Sequence, residues 1–360
     1  MTRKLLVLNG LAIIGIAIEH ANAYGMQAMF FWTDRYLPVS VPNFDQLHSL
    51  GYYLTLIMRQ LAIFTVPAFL FISGFFIAFM ARGPNAKVTL SSILPRVKVL
   101  LFPFLVWTTV RYLLLRRFPT SIDEILNPSH FVPLLIQFYL ISPILVPLAR
   151  TRWKLLLGIA AAVHLGGQIL NYLAALGVTS PAIVLLETLT PRWVIFGQLP
   201  FWFPFGLVVG LHIHAFQAWI NRYKTHLLIG TIVFGVGCVA EYLLLDALNG
   251  SQWLNPSIGG ISKTAFSLTF ILWFLSSDDR RVPLTKAITT VSAKSLGIYL
   301  GNIPAVYVIA LLMYHLTPVL LGLQLYYQVI LFIAGLFGPL LLMELMQRSP
   351  ARRYYRYIFG

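Results

Sequence analysis

Charge is scarce in this 360-residue chain, and acidic charge scarcest: Asp and Glu number 11 against 26 Lys and Arg, and charged residues make up 10% of the sequence. Roughly a quarter of a soluble domain's residues are charged, so the composition excludes that class. A single cysteine, Cys238, excludes an internal disulfide. No HExxH, no CxxC and no paired carboxylates at ligand spacing are present, so no metal site is read. Walker and Rossmann loops are also missing, which excludes the common nucleotide-binding folds.

What fills the chain is apolar residues, 58% of the sequence. Runs long enough to cross a ~30 Å hydrocarbon core recur from end to end and leave no room for a separate soluble domain. The expectation is an all-α, polytopic integral membrane bundle over residues 1–360. About ten transmembrane helices are read, near 5–23, 53–80, 93–115, 130–149, 153–177, 193–214, 225–247, 259–276, 288–313 and 323–346. Residues 178–192 hold Pro181, Glu187 and Pro191 and suit a re-entrant or interfacial piece.

The net charge of +15 lies in short clusters between apolar runs, the pattern of cytoplasmic loops facing membrane lipids rather than of a nucleic-acid binder. Placing the amino terminus inside puts eighteen basic residues on the inner side. Six (Arg35, Arg111, Arg116, Arg117, Arg192 and Lys263) fall on the outer side, with Arg59 and Lys294 within spans. Both termini are then cytoplasmic. Arg3 and Lys4, an apolar core and Ala21-Asn22-Ala23 have the outline of a signal peptide, but Asn9, Glu19 and His20 interrupt the core. A retained first span is expected.

That first span, LLVLNGLAIIGIAIEH from Leu5 to His20, carries polar groups where lipid tolerates few. Asn9 and His20 are eleven positions apart, about three turns, and share one face about 16 Å apart along the axis. A neutral His20 in the outer half of the membrane can accept a proton from a hydroxyl. Arg59 lies at a depth close to that of Glu19, suggesting an ion pair that holds His20 in place, with Glu241 a rival partner. Ser73-Gly74 interrupts the bulky run FLFISGFFIAF, and a small pair serves close helix approach or a kink. Arg96 and Lys98 precede an apolar span in SSILPRVKVLLFPFLVW, where basic groups can serve topology or bind phosphates. His130 opens the fourth span, and Asn302 sits mid-span in SLGIYLGNIPAVYV; each needs a partner in lipid.

In this order the segments resemble acyltransferase family 3, membrane O-acyltransferases of about ten spans. Asn9-Gly10 to His20 is similar to the family's opening pattern, in which an Arg-Gly precedes a His. FLFISGFF resembles its FFxxSGF segment, PRVKVLLFPFLVW its basic stretch, HFVPLLIQFYLISPIL its HLWFL segment, and SLGIYLGNIP its GIYLxHxP segment. The resemblance implies transfer of an acyl group, such as acetyl, from cytoplasmic acyl-CoA to a hydroxyl of a glycan, glycolipid or similar acceptor reached from the outer side. The setting implied is the inner (plasma) membrane and O-acetylation of cell-envelope polysaccharide. It carries the base over to His20 and a contact for donor phosphates to Arg96, with Lys98 beside it. Acyl-CoA is a donor substrate here, and no bound cofactor is implied.

Three positions depart from that pattern: Asn9 stands where the family has Arg, Val99 where its basic stretch has a second Arg, and Asn302 where it has His. Asn9 can hydrogen-bond but cannot neutralise a phosphate. The assignment is therefore an O-acyltransferase with His20 and Glu19 at the catalytic position. Asn9, Arg59, Arg96 and Lys98 are read as donor-side or supporting groups, and Ser73, His130 and Asn302 as groups shaping the path. The rivals are a transporter or flippase using His20, Glu19 and Arg59 as a relay, and a catalytically inactive relative.

Overall fold

The computed structural model describes residues 2–27, 48–82, 87–178, 180–249, 258–277 and 282–360, and every regular element among them is helical. Arg35, Arg280 and Arg281 of the charge count lie outside the described residues.

In chain order the helices are α1 (Thr2–Gln27), α2 (Leu50–Leu61), α3 (Thr65–Met80) and α4 (Leu90–Leu115). There follow α5 (Ile122–Leu126), α6 (Phe131–Thr151), α7 (Trp153–Ala175) and α8 (Pro181–Leu189). Next come α9 (Trp202–Leu211), α10 (Ile213–Arg222), α11 (Lys224–Leu248) and α12 (Ile261–Ser276). The chain closes with α13 (Thr285–Ala293), α14 (Ser295–Leu316), α15 (Gln324–Arg348) and α16 (Tyr355–Phe359).

Among the described residues, eight spans are long and apolar enough to cross a membrane, counting α2 and α3 as one, and the bent pair α9–α10 brings the number to nine. With the 16-residue apolar helix α12, ten spans are plausible, as read from the sequence. Two boundaries differ. The sixth span does not begin at Trp193: Pro191, Gly197 and Pro200 break the backbone until Trp202, and the helix then bends by 103° into α10. The ninth breaks at Lys294 into α13 and α14. Residues 181–189 form the short helix α8, capped by the Ser180 hydroxyl with Pro181 in its first turn, consistent with an interfacial piece.

α1 is apolar on nearly every side and buries Leu5, Leu8, Ala12, Ile13, Ile16 and Ala17, the pattern of a helix inside a bundle. It packs against α3, α13, α14 and α15. Ala21-Asn22-Ala23 lies within this helix, and Asn22 Nδ2 donates to the Thr55 carbonyl of α2 at 2.7 Å. The Gln328 amide of α15 also donates to Thr55, at its hydroxyl, so a polar seam ties three helices together at the end of α1 opposite the amino terminus.

α3 and α9 approach backbone to backbone. A Cβ on Gly74 would strike the Phe203 carbonyl, and one on Gly206 the Phe71 carbonyl. Ser73-Gly74 thus serves close approach, matched by Gly206 and Gly210 at four-residue spacing across the contact.

At the end of the bundle bearing the amino terminus, here the basic face, cationic side chains close helix ends. Lys4 donates to the Leu275 carbonyl at 2.9 Å, and Arg150 donates to the Ala81 carbonyl. Each satisfies a carbonyl left open at a helix C-terminus.

Candidate functional site

The polar face of α1 meets α14. His20 Nδ1 lies 2.7 Å from Asn302 Oδ1, and Asn302 is fully buried. With the amide oxygen facing the ring, Nδ1 carries the proton and Nε2 keeps its lone pair. Two turns lower on α14, Ser295 Oγ receives a hydrogen bond from Asn9 Nδ2 at 3.2 Å, and Ser292 Oγ of α13 receives another at 2.9 Å. Asn9 is therefore a tether between helices, set apart from His20 as the eleven-residue spacing requires. The adjoining Gly10 admits the Ile288 backbone at the same crossing.

His20 borders a cavity of about 120 Å³ whose wall is drawn from widely separated parts of the chain. α1 gives Glu19 and His20, His130 precedes α6, α7 gives His164 and Gln168, the 190–199 segment gives Arg192 and Gln198, and α12 gives Lys263 and Thr264. Tyr299 of α14 and Trp202 complete it. These groups are held from behind. His164 Nε2 is 3.0 Å from Thr264 Oγ1, His130 Nδ1 is 3.2 Å from the Asn127 carbonyl, and Arg192 Nε donates to Gln198 Oε1 at 3.1 Å. Lys263 Nζ donates to the Ile258 carbonyl.

Glu19 supplies negative charge to several of these cations. Its charge favours those of Arg59, Arg192 and Lys263. The attraction expected between Glu19 and Arg59 is thus shared with two cations that the depth argument did not consider. Glu241, the rival partner, faces elsewhere. It accepts from the Ser262 amide at 2.7 Å and from the Tyr172 hydroxyl at 2.9 Å, which caps the N-terminus of α12.

Arg96, Lys98 and Ser73 are not at this cavity. Arg96 and Lys98 are exposed on the first turns of α4 at the basic face. The Tyr139 side chain of α6 lies near both Arg96 and Ser73. Aromatic packing separates this group from the cavity: Phe138 stacks on Phe203 at 4.8 Å, and Phe131 packs edge-on to Tyr299 at 5.4 Å. The structure thus brings together His20, Glu19, His130 and Asn302, with Arg59 coupled through its charge, and leaves Asn9, Ser73, Arg96 and Lys98 on the other side.

Sequence reasoning missed Arg192, Lys263, His164 and Gln168 as wall residues. A signal existed for the first two, since both are cations placed on the outer side against the charge bias. For His164 and Gln168 it was the i, i+4 spacing in HLGGQ, which sets both on one helix face. Among the described residues no group of three or more His, Cys, Asp or Glu stands together to hold a metal ion.

Compared with known families, residues 5–344 match a family model described as an acyltransferase domain, that of acyltransferase family 3. No curated protein and no solved structure matches the chain.

Proposed function

The chain belongs to acyltransferase family 3, and from that premise we propose that it moves an acyl group, acetyl in the simplest case, from acyl-CoA to a hydroxyl of a glycan or glycolipid. The single observation that carries the residue assignment is the His20–Asn302 hydrogen bond, which leaves Nε2 free on the wall of an outer-half cavity.

His20 Nε2 takes the proton of the acceptor hydroxyl as its oxygen attacks the thioester carbonyl. The carbon–sulfur bond then breaks, coenzyme A leaves as the thiolate and is protonated, and the new ester remains on the acceptor. No covalent enzyme intermediate is needed. A hydroxyl is far too weak an acid for imidazole to ionise beforehand, so the proton moves during attack, worth about 10²–10⁴-fold in rate. Lys263 and Arg192 are the cations nearest to offset charge on the carbonyl oxygen, and Glu19 limits the cost of holding them together.

The donor is assigned to the basic face, where Arg96 and Lys98 are free to meet phosphates and Asn9 is occupied by serines. On this reading the protein sits in the plasma membrane with both termini in the cytoplasm, the donor inside and the acceptor outside. The test is turnover of radiolabelled acetyl-CoA by purified protein in liposomes with a lipid-linked sugar, comparing wild type with His20→Ala. Label reaching the acceptor only in wild type supports the reading; equal label in both removes His20 from catalysis, and no label from any donor in either protein overturns acyl transfer.

A further inference from the structure

A second cavity, of about 520 Å³, lies outside the first, bordered by α7, α8, the 190–198 segment and the α5 region. Arg192 and Gln198 line both cavities, so they stand between this vestibule and the cavity of His20. Its size is that of a small-molecule site, which typically spans about 300–1,000 Å³. Its wall is rich in fixed polar groups. Trp193 Nε1 donates to Asp123 Oδ1 at 2.9 Å, and Gln198 Nε2 donates to Asn171 Oδ1 at 2.8 Å. Glu187 adds a second carboxylate. Carboxylates and amide oxygens accept from hydroxyls, and an indole face covers the C–H face of a sugar ring.

A third hollow, a trough of about 570 Å³, runs along α8 over Pro181, Val184 and Leu185. Val184 and Thr188 belong to both the trough and the vestibule, so the two adjoin along one helix. The trough is mostly apolar, and α8 exposes Val184 at 52%, Leu185 at 58% and Leu189 at 61%. Nine residues of helix rise only about 14 Å, too short to cross a bilayer, so this apolar surface is not part of a span. Glu187 and Thr188 face the vestibule from the same short helix.

We propose that the acceptor is an amphiphile, a hydroxyl-rich head group carried on an apolar chain, with the head in the vestibule and the chain along the α8 trough. It enters sideways from the outer leaflet, and Arg192 and Gln198 position its reacting hydroxyl on the way to His20. The role as acceptor rests on the acyl-transfer reading; the binding site does not.

The test uses the full chain in nanodiscs and two photoactivatable probes with a diazirine in the chain: hexadecyl glucoside and hexadecanol. After irradiation, peptide mapping is expected to show residues 181–189 labelled several-fold more by the glucoside than by hexadecanol. Excess unlabelled hexadecyl glucoside should remove that difference, whereas methyl glucoside at the same concentration should not. Asp123→Ala and Trp193→Ala, checked for native melting, should each lower it several-fold. Equal labelling by both probes, or equal competition by methyl glucoside, overturns the proposal without relying on any variant. Acetyl transfer to the same compounds separates the two readings. Transfer to methyl glucoside as fast as to hexadecyl glucoside leaves the enzyme and removes the amphiphile; head-dependent labelling with no transfer leaves the site and removes the enzyme.

Discussion

His20 Nδ1 and Asn302 Oδ1, 282 positions apart, lie 2.7 Å from each other, and this bond sets which nitrogen of the histidine can act as a base. Asn302→Ala removes the acceptor and leaves Nδ1–H unpaired in a buried place, which favours the other tautomer and a rotated ring. Transfer is expected to fall about 10- to 100-fold through kcat, less than the loss of about 10²–10⁴-fold for His20→Ala. Asn302→His can accept through a ring nitrogen and is expected to keep more activity than Asn302→Ala. The measurement is kcat and KM in liposomes, and equal activity of Asn302→Ala and wild type would remove the tautomer argument.

Asn9 is expected to act on stability rather than on the donor. Its amide reaches Ser292 and Ser295, so Asn9→Ala loses hydrogen bonds between α1 and the α13–α14 corner, about 1 kcal/mol. Thermal unfolding in detergent should fall by a few degrees while KM for acyl-CoA stays within twofold. A several-fold rise in that KM with unchanged melting would return Asn9 to the donor site.

The α3–α9 contact is expected to be the packing most sensitive to a single methyl group. Gly206→Ala forces a Cβ onto the Phe71 carbonyl, which belongs to backbone and cannot rotate away. Overpacking of this kind costs about 1–3 kcal/mol. By contrast Gly158→Ala meets nothing within 4 Å and should melt like wild type. If the two variants melt alike, the close approach is not what holds these helices.

How far the sequence reached follows from what each signal measures. Apolar runs count spans well, because lipid imposes length on every crossing segment. They failed at Trp193–Phe201, where apolar composition hides a non-helical strap broken by Pro191 and Pro200, and at Lys294, where one run conceals two helices. Helix spacing correctly set Asn9 and His20 toward one neighbour, but nothing local says that this neighbour is α14, since Ser295 and Asn302 are reached only through the tertiary fold. The Glu19–Arg59 pairing was incomplete for a similar reason. Depth along two helices cannot see Arg192 and Lys263 arriving from other parts of the chain to share the carboxylate.

Arg96 and Arg192 stand at opposite ends of the proposed reaction path, and substitution should separate donor from acceptor. Arg96 is exposed at the basic face, so Arg96→Ala is expected to raise KM for acyl-CoA several-fold with the acceptor KM unchanged. Arg192 stands between vestibule and cavity and is fixed by Gln198, so Arg192→Ala should raise the acceptor KM and lower kcat with the donor KM unchanged. Arg192→Lys keeps the charge near Glu19 but loses the Nε–H bond to Gln198, and is expected to recover kcat in part while the acceptor KM stays high. The contrast depends on which constant moves, so a general loss of folded protein, which lowers every rate together, cannot imitate it. If Arg192→Ala and Arg96→Ala shift the donor KM equally, the phosphates of acyl-CoA are not held at the basic face, and the assignment of donor and acceptor to opposite faces falls.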